Sequence, residues 1–336
     1  MAQLSTTFWQ PFLQAGAFVV LDGGLATELE RRGSNLNDPL WSARLLVDNP
    51  DLIRQVHLDY LRAGANVITS ASYQASFEGF AARGLSHAAA VQLMLDSVRL
   101  AQEARDLFIV DRTLRVRNSA HGVCGLQSTG PRPLVAASIG CYGATLHDGS
   151  EYRGDYGLSV QQLADWHRPR FELLARSGAD LLACETIPCL SEAEALVRLA
   201  SEHPEIPVWL SFSCRDESRV SHGEPLAECV ALTQGVGNIV GAGINCTPPR
   251  LIEPLLRSLA GTTDCPLLAY PNRGETWDAD KRCWNCADDE AHDWGELSRT
   301  WHQAGAMLIG GCCRTTPDTI RQIAVQSKLT ASVETR

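Results

Sequence analysis

Eight short runs rich in Val, Ile, Leu and Ala punctuate the chain, and each hands over to a loop or a helix-start signal. They are Phe18 to Leu21, Asn66 to Thr69, Leu134 to Ile139, Asp180 to Cys184, Val208 to Phe212, Ile239 to Ile244, Leu267 to Tyr270 and Met307 to Ile309. Near-continuous apolar runs suit parallel strands covered on both faces rather than a half-exposed sheet. Between them, apolar residues recur at helical spacing. Asn49-Pro50 supplies a cap and a first-turn proline ahead of Ile53, Val56, Tyr60 and Leu61. Similar patterns cover roughly 86–107, 159–176, 191–202, 225–233, 248–259, 294–303 and 317–324. Eight strands alternating with eight helices predict an α/β architecture, the closed parallel (β/α)8 TIM barrel. The chain is read as a single domain over residues 1–336, with its core from about 18 to 323. A doubly wound open sheet is the runner-up.

An internal echo supports the barrel. Leu61-Arg62-Ala63-Gly64-Ala65, Ala175-Arg176-Ser177-Gly178-Ala179 and His302-Gln303-Ala304-Gly305-Ala306 each precede a strand. In each, glycine can take the left-handed conformation that ends a helix. Three long connections interrupt the alternation. Val110 to Pro133 is polar and glycine-rich, and reads as a surface excursion on the helix-to-strand side. Gly143 to Gly157 and Gly274 to Asp293 follow strands and so emerge at the C-terminal face, where barrel active sites lie; they are the expected lids.

Composition narrows the function. A formal net charge of -10 lacks the basic stripe of a nucleic-acid binder. No apolar run approaches the ~18 residues needed to span a bilayer, and the N-terminus lacks a signal-peptide pattern, so a cytoplasmic protein is expected with no membrane partner. A monomer is the simplest expectation. Twelve cysteines could suggest disulfides, but such frameworks belong mainly to small secreted chains, and most of these cysteines sit inside apolar runs.

The strand ends carry the chemistry. They bear Asp22, Ser70 with Tyr73 and Gln74, Glu185, Ser213 with Cys214, Asn245 with Cys246, Asn272 with Glu275, and Cys312 with Cys313. In a barrel these converge on one mouth, and two acids with three cysteines suggest a cationic amine held beside a soft metal. Adjacent residues of a regular strand point to opposite faces, so Cys312 and Cys313 can share a metal only where the strand has bent, which Gly310-Gly311 permits. Cys246 makes a third thiolate and leaves a fourth position open, a catalytic rather than a structural zinc pattern. Cys283-Trp284-Asn285-Cys286 is a rival pair with no second pair to complete a cage. Asp22 could instead cap its turn and Glu185 the next helix. His57, His87, His167 and His302 fall inside helices as packing or surface residues, and of the other cysteines Cys141 and Cys214 are expected nearest the pocket.

Six stretches carry a family pattern: Leu21-Asp22-Gly23-Gly24-Leu25-Ala26-Thr27-Glu28-Leu29, Ser70-Ala71-Ser72-Tyr73-Gln74-Ala75-Ser76, Ala183-Cys184-Glu185-Thr186, Ile244-Asn245-Cys246, Tyr270-Pro271-Asn272 and Gly310-Gly311-Cys312-Cys313-Arg314-Thr315-Thr316-Pro317. Together they closely resemble the homocysteine S-methyltransferases, from about Phe18 to Ile323. The resemblance implies zinc ligands at Cys246, Cys312 and Cys313. It implies that Asp22 and Glu185 hold the amino group of homocysteine, that Tyr73 and Gln74 border the pocket, and that Asn245 belongs to the substrate site. The chain departs from the family pattern at Cys141, where relatives often carry proline, in the loop around Cys283, and in the length of the Val110 to Pro133 excursion.

The reaction so implied moves a methyl group from a small-molecule donor to the thiol of L-homocysteine, giving methionine. Folate- and cobalamin-dependent relatives carry additional domains, and betaine-using relatives have a C-terminal extension for which Pro317 to Arg336 leaves no room. S-methylmethionine is therefore the first expectation, S-adenosylmethionine the second and betaine the third. A non-catalytic zinc-binding barrel is a further alternative. A Schiff-base lyase would want a strand-end lysine, and the chain has only Lys281 and Lys328, neither at a strand end.

Overall fold

The computed structural model describes residues 2–13, 16–35, 44–119, 130–274, 276–278, 283–285 and 292–334. The strands are β1 (Val19–Val20), β2 (Val67–Thr69), β3 (Leu134–Gly140), β4 (Leu181–Ile187), β5 (Val208–Phe212), β6 (Ile239–Asn245), β7 (Leu267–Tyr270), β8 (Thr276–Asp278), β9 (Cys283–Asn285) and β10 (Ala306–Ile309). Eight of them form one parallel sheet in the order β1-β10-β7-β6-β5-β4-β3-β2. A parallel bridge between Leu21 and Val67 joins its two ends. Asn66 reinforces that seam: its N–H donates to the Val20 carbonyl at 2.7 Å, and its side-chain oxygen accepts from the Val20 N–H at 2.8 Å. The sheet is thus a (β/α)8 barrel, as the apolar runs predict.

The helices are α1 (Ala2–Leu13), α2 (Leu25–Arg31), α3 (Leu45–Asp48), α4 (Pro50–Ala63), α5 (Phe77–Ala82), α6 (His87–Ser119), α7 (Val160–Ala175), α8 (Leu190–Glu202), α9 (Leu226–Ala231), α10 (Pro249–Ser258), α11 (Trp294–Gln303) and α12 (Pro317–Glu334). Their caps follow the sequence signals: the Asn49 side chain accepts from the Leu52 N–H, and Ser159 with Gln162 closes a capping box on α7. Gly64, Gly178 and Gly305, the glycines of the internal echo, all have positive φ, at 115°, 81° and 109°. Among the described residues no helix is long and apolar enough to cross a membrane.

The short helices α2, α3 and α5 and the β8–β9 pair go beyond the sequence expectation, and two longer helices differ from it. Helix α6 runs to Ser119, so the first ten residues of the Val110 to Pro133 excursion are helical. Val110 and Leu114 are about half exposed there, which removes the buried face that periodicity detects. Residues 120–129 of that excursion lie outside the described residues. Helix α1, poor in apolar periodicity and carrying Pro11, was not foreseen. It is fixed from outside: Trp9 is fully buried, and its indole N–H donates to the Val240 carbonyl at 2.7 Å.

The core divides accordingly. One cluster fills the barrel, with Leu181, Trp209, Val240, Leu268 and Leu308 packed over Trp9 and Phe12 of α1. The other lies between the strands and the helical ring, through Ile53, Phe171, Leu196, Leu210 and Ile252. Filling the barrel at the end where α1 packs leaves the opposite, C-terminal end open for chemistry.

Candidate active site and metal centre

Asp22, Tyr73, Gln74, Glu185, Cys246, Cys312 and Cys313 all line one cavity of about 160 Å3 at the C-terminal ends of the strands. Asn245 does not line it; its side chain is buried behind Thr186.

Cys246 follows the last residue of β6 with φ at 47°, in the left-handed region that a non-glycine residue rarely adopts. Its N–H is held by the Tyr270 carbonyl at 3.2 Å. Cys312 follows β10, its N–H on the Pro271 carbonyl at 2.7 Å and its own carbonyl accepting from the Thr315 hydroxyl at 2.7 Å. The bend expected at Gly310-Gly311 is present, but its cause is space. Neither glycine has positive φ; the left-handed residue is Arg314, at 67°. A Cβ on Gly310 would stand 2.6 Å from that of Leu21, and one on Gly311 would stand 2.3 Å from the Thr315 hydroxyl.

The three sulfurs lie within 4.8 Å of one another, and this is the only such group of three potential metal ligands among the described residues. Two sulfurs about 2.3 Å from one tetrahedral ion would be roughly 3.8 Å apart. Cys246 and Cys313 are 3.7 Å apart, so the donor set suits a soft tetrahedral ion. Hydrogen bonds from Cys312 and Cys313 lower the Cys246 thiol below its ordinary range, and the same contacts raise its two partners. Of the rival pair, Cys283 sits in the second strand of the β8–β9 hairpin, and Cys286 lies outside the described residues.

The two acids are buried. Asp22 accepts from the Thr69 N–H at 2.7 Å and from the Thr69 hydroxyl at 3.0 Å, so it does not cap its own turn. Burial pushes its pKa up to about 8, with Glu185 contributing. Glu185 accepts from the Ser138 hydroxyl and, at 3.1 Å, from the Tyr270 hydroxyl. Burial raises it to about 7. It does not cap α8, whose cap residue is Cys189. No lysine, arginine or histidine lines the cavity among the described residues, so its chemistry is that of a receptor for cations.

The sequence profile of the homocysteine S-methyltransferases matches residues 19–326. The chain belongs to the homocysteine S-methyltransferase family. It is 49% identical over 319 residues to homocysteine S-methyltransferase YbgG of Bacillus subtilis (strain 168), covering 95% of this chain and 97% of the relative. It is 48% identical over 323 residues to homocysteine S-methyltransferase 2 of Arabidopsis thaliana, covering 92% and 93%. The structure superposes with a TM-score of 0.80 on the metallated crystal form of the Escherichia coli homocysteine methyltransferase MmuM, at 45% identity, covering 95% of this chain and 99% of that one.

In this homocysteine S-methyltransferase several cavity residues carry no sequence signal of their own. Tyr152 lies in the expected lid Gly143 to Gly157, and its hydroxyl is 3.2 Å from the Cys246 sulfur. Glu151, its neighbour, also lines the cavity, as does Ser138; Thr186 and Tyr270 line it too, within two of the family stretches. A lid without periodicity gives no indication of which residues turn inward. Conversely, Cys141 and Cys214 do not line the cavity. Both pack in the apolar layer between strands and helices, where burial raises their thiols.

Asn245 acts on the site at one remove. Its side-chain oxygen accepts from the Thr186 N–H at 2.9 Å, and its amide donates to the Thr186 hydroxyl at 2.8 Å. Thr186 has φ at 61°, unfavourable for a β-branched residue. The β4–β5 register is interrupted between Cys184 and Ile187, so Glu185 and Thr186 sit on an irregularity that aims the carboxylate inward.

Proposed function

We propose that this enzyme transfers a methyl group from a sulfonium donor to the thiol of L-homocysteine, giving methionine, with zinc held by Cys246, Cys312 and Cys313. The observation that carries the proposal is the convergence of three thiols from two strand ends with two buried carboxylates in a cavity that, among the described residues, is lined by no cationic side chain. Zinc bound there would keep the homocysteine sulfur deprotonated and nucleophilic at neutral pH.

Asp22 and Glu185 bind the homocysteine ammonium, and Tyr73 and Gln74 border the substrate. Asn245 holds Thr186 and through it the position of Glu185. The thiol proton of homocysteine is released to solvent as the thiolate forms. The sulfur lone pair then makes the new carbon–sulfur bond as the donor's carbon–sulfur bond breaks, and that electron pair stays on the departing neutral thioether. A sulfonium fits better than a quaternary ammonium because its leaving group is the better one. S-methylmethionine ranks ahead of S-adenosylmethionine, and both ahead of betaine.

The test has two parts. Cys246→Ala, Cys312→Ala and Cys313→Ala should each lose zinc and methyl transfer, whereas Cys283→Ala keeps both. A donor panel with homocysteine should give S-methylmethionine the highest kcat/KM. Full zinc content in any of the three triad variants refutes the ligand set, and betaine as preferred donor refutes the donor assignment.

A further inference from the structure

One carboxylate oxygen of Glu151 is left without a partner among the described residues, although its own backbone N–H and the charge of Arg153 act on the carboxylate. Its Oε2 is buried without a hydrogen bond, and it forms no ion pair with Arg153, the nearest cation on the same turn. Arg153 is committed elsewhere, to the Asp148 carbonyl at 2.9 Å, the Ser150 hydroxyl at 2.9 Å and the Asp148 carboxylate at 3.3 Å. A buried carboxylate oxygen left without a hydrogen bond is costly, and a cation brought into the cavity would offset that cost.

The backbone that carries Glu151 is fixed. It lies in the single 3-10 turn Ser150–Tyr152, entered through Gly149 at φ 80°. A Cβ on Gly143 would stand 2.5 Å from the Glu151 N–H nitrogen, so the turn rests directly on the first half of the lid. The Ser213 hydroxyl donates to the Glu151 carbonyl at 3.3 Å, and the next residue, Tyr152, reaches Cys246. Glu151 therefore lines the same cavity as the three cysteines, on a backbone segment tied at Gly143 and at Ser213.

Three cations can enter this cavity: the homocysteine ammonium, the donor's reacting centre and the donor's own ammonium. Resting on the reading under Proposed function, Asp22 and Glu185 take the first. A carboxylate against the sulfonium would stabilise a charge that diminishes in the transition state, which lowers KM and kcat together. The α-ammonium of an amino-acid donor keeps its charge throughout and stands a three-carbon chain away from the sulfur in S-methylmethionine.

We propose that Glu151 is the donor-specificity residue, binding the α-ammonium of an amino-acid sulfonium. The test compares wild type with Glu151→Gln, using S-methylmethionine and dimethylsulfoniopropionate, a sulfonium without an ammonium, each at saturating homocysteine. Loss of a charge-assisted contact should raise KM for S-methylmethionine by roughly tenfold or more. The kcat should change little, as should KM for homocysteine, KM for dimethylsulfoniopropionate and zinc content. Glu151→Asp should restore part of the S-methylmethionine KM. An unchanged KM for S-methylmethionine overturns the assignment. So does an equal rise for both sulfoniums, which would move the contact to the reacting centre. Activity of the wild type with neither sulfonium would instead sink the methyl-transfer reading itself, a separate outcome.

Discussion

Replacing Asn245 by alanine tests how the strand-end geometry is made. The substitution leaves the Thr186 N–H and hydroxyl without their buried partners, which now lie at 2.9 and 2.8 Å. Two orphaned groups cost roughly 1–3 kcal/mol each, and relaxing Thr186 from its left-handed conformation returns roughly 1–3 kcal/mol, so the net loss is about 2 kcal/mol. For a chain of this size that corresponds to a fall in Tm of about 3 °C. Relaxation also turns Glu185 away from the cavity, so KM for homocysteine should rise about tenfold or more, the scale of one charged hydrogen bond. Zinc content should remain near normal, because Cys246 keeps its own backbone anchor on Tyr270. Differential scanning calorimetry, steady-state kinetics and metal analysis read the three quantities. The double variant Asn245→Ala/Thr186→Gly should recover part of the homocysteine KM, since glycine holds positive φ without a Cβ penalty. A single variant with parental Tm and parental homocysteine KM would refute the clamp.

Asp22→Asn should separate stability from binding. A carboxyl whose folded pKa stands near 8 contributes full stability below its unfolded value of 3.8 and loses it as pH rises through 8. The amide does not ionise, so this variant should gain up to about 5 kcal/mol over wild type at pH 8, a gain that disappears by pH 4, while homocysteine binding weakens. Denaturant melts of metal-free protein across that range check the sign. His57 acts in the opposite direction: it is fully buried, neither ring nitrogen has a partner among the described residues, and burial lowers its pKa from 6.5 to about 4. Stability should therefore fall by about 3 kcal/mol as pH drops from 6.5 to 4, a loss that His57→Leu removes and the same melts detect.

The barrel was legible because both faces of its strands are buried, so each strand stands out as an unbroken apolar run. The cysteine triad was legible because Cys246, Cys312 and Cys313 follow such runs immediately, and a residue at a strand's C-terminal end has one place to go. Glu151 and Tyr152 were not, since they lie in a polar lid where no period assigns a side chain to the cavity. Gly310 and Gly311 marked the right bend for an incomplete reason: they are required by the close approach of Leu21 and Thr315, and the positive φ falls on Arg314. Asn245, which the family resemblance assigns to the substrate, acts instead through a residue remote in sequence. Its partner Thr186 is 59 residues away in sequence, and no local pattern links the two.

Zinc K-edge absorption spectroscopy of the zinc-loaded protein, with and without homocysteine, tests the central claim most directly. The account predicts three sulfur neighbours at about 2.3 Å in the free enzyme, rising to four when homocysteine is added. Three sulfurs that stay at three in saturating homocysteine would contradict it.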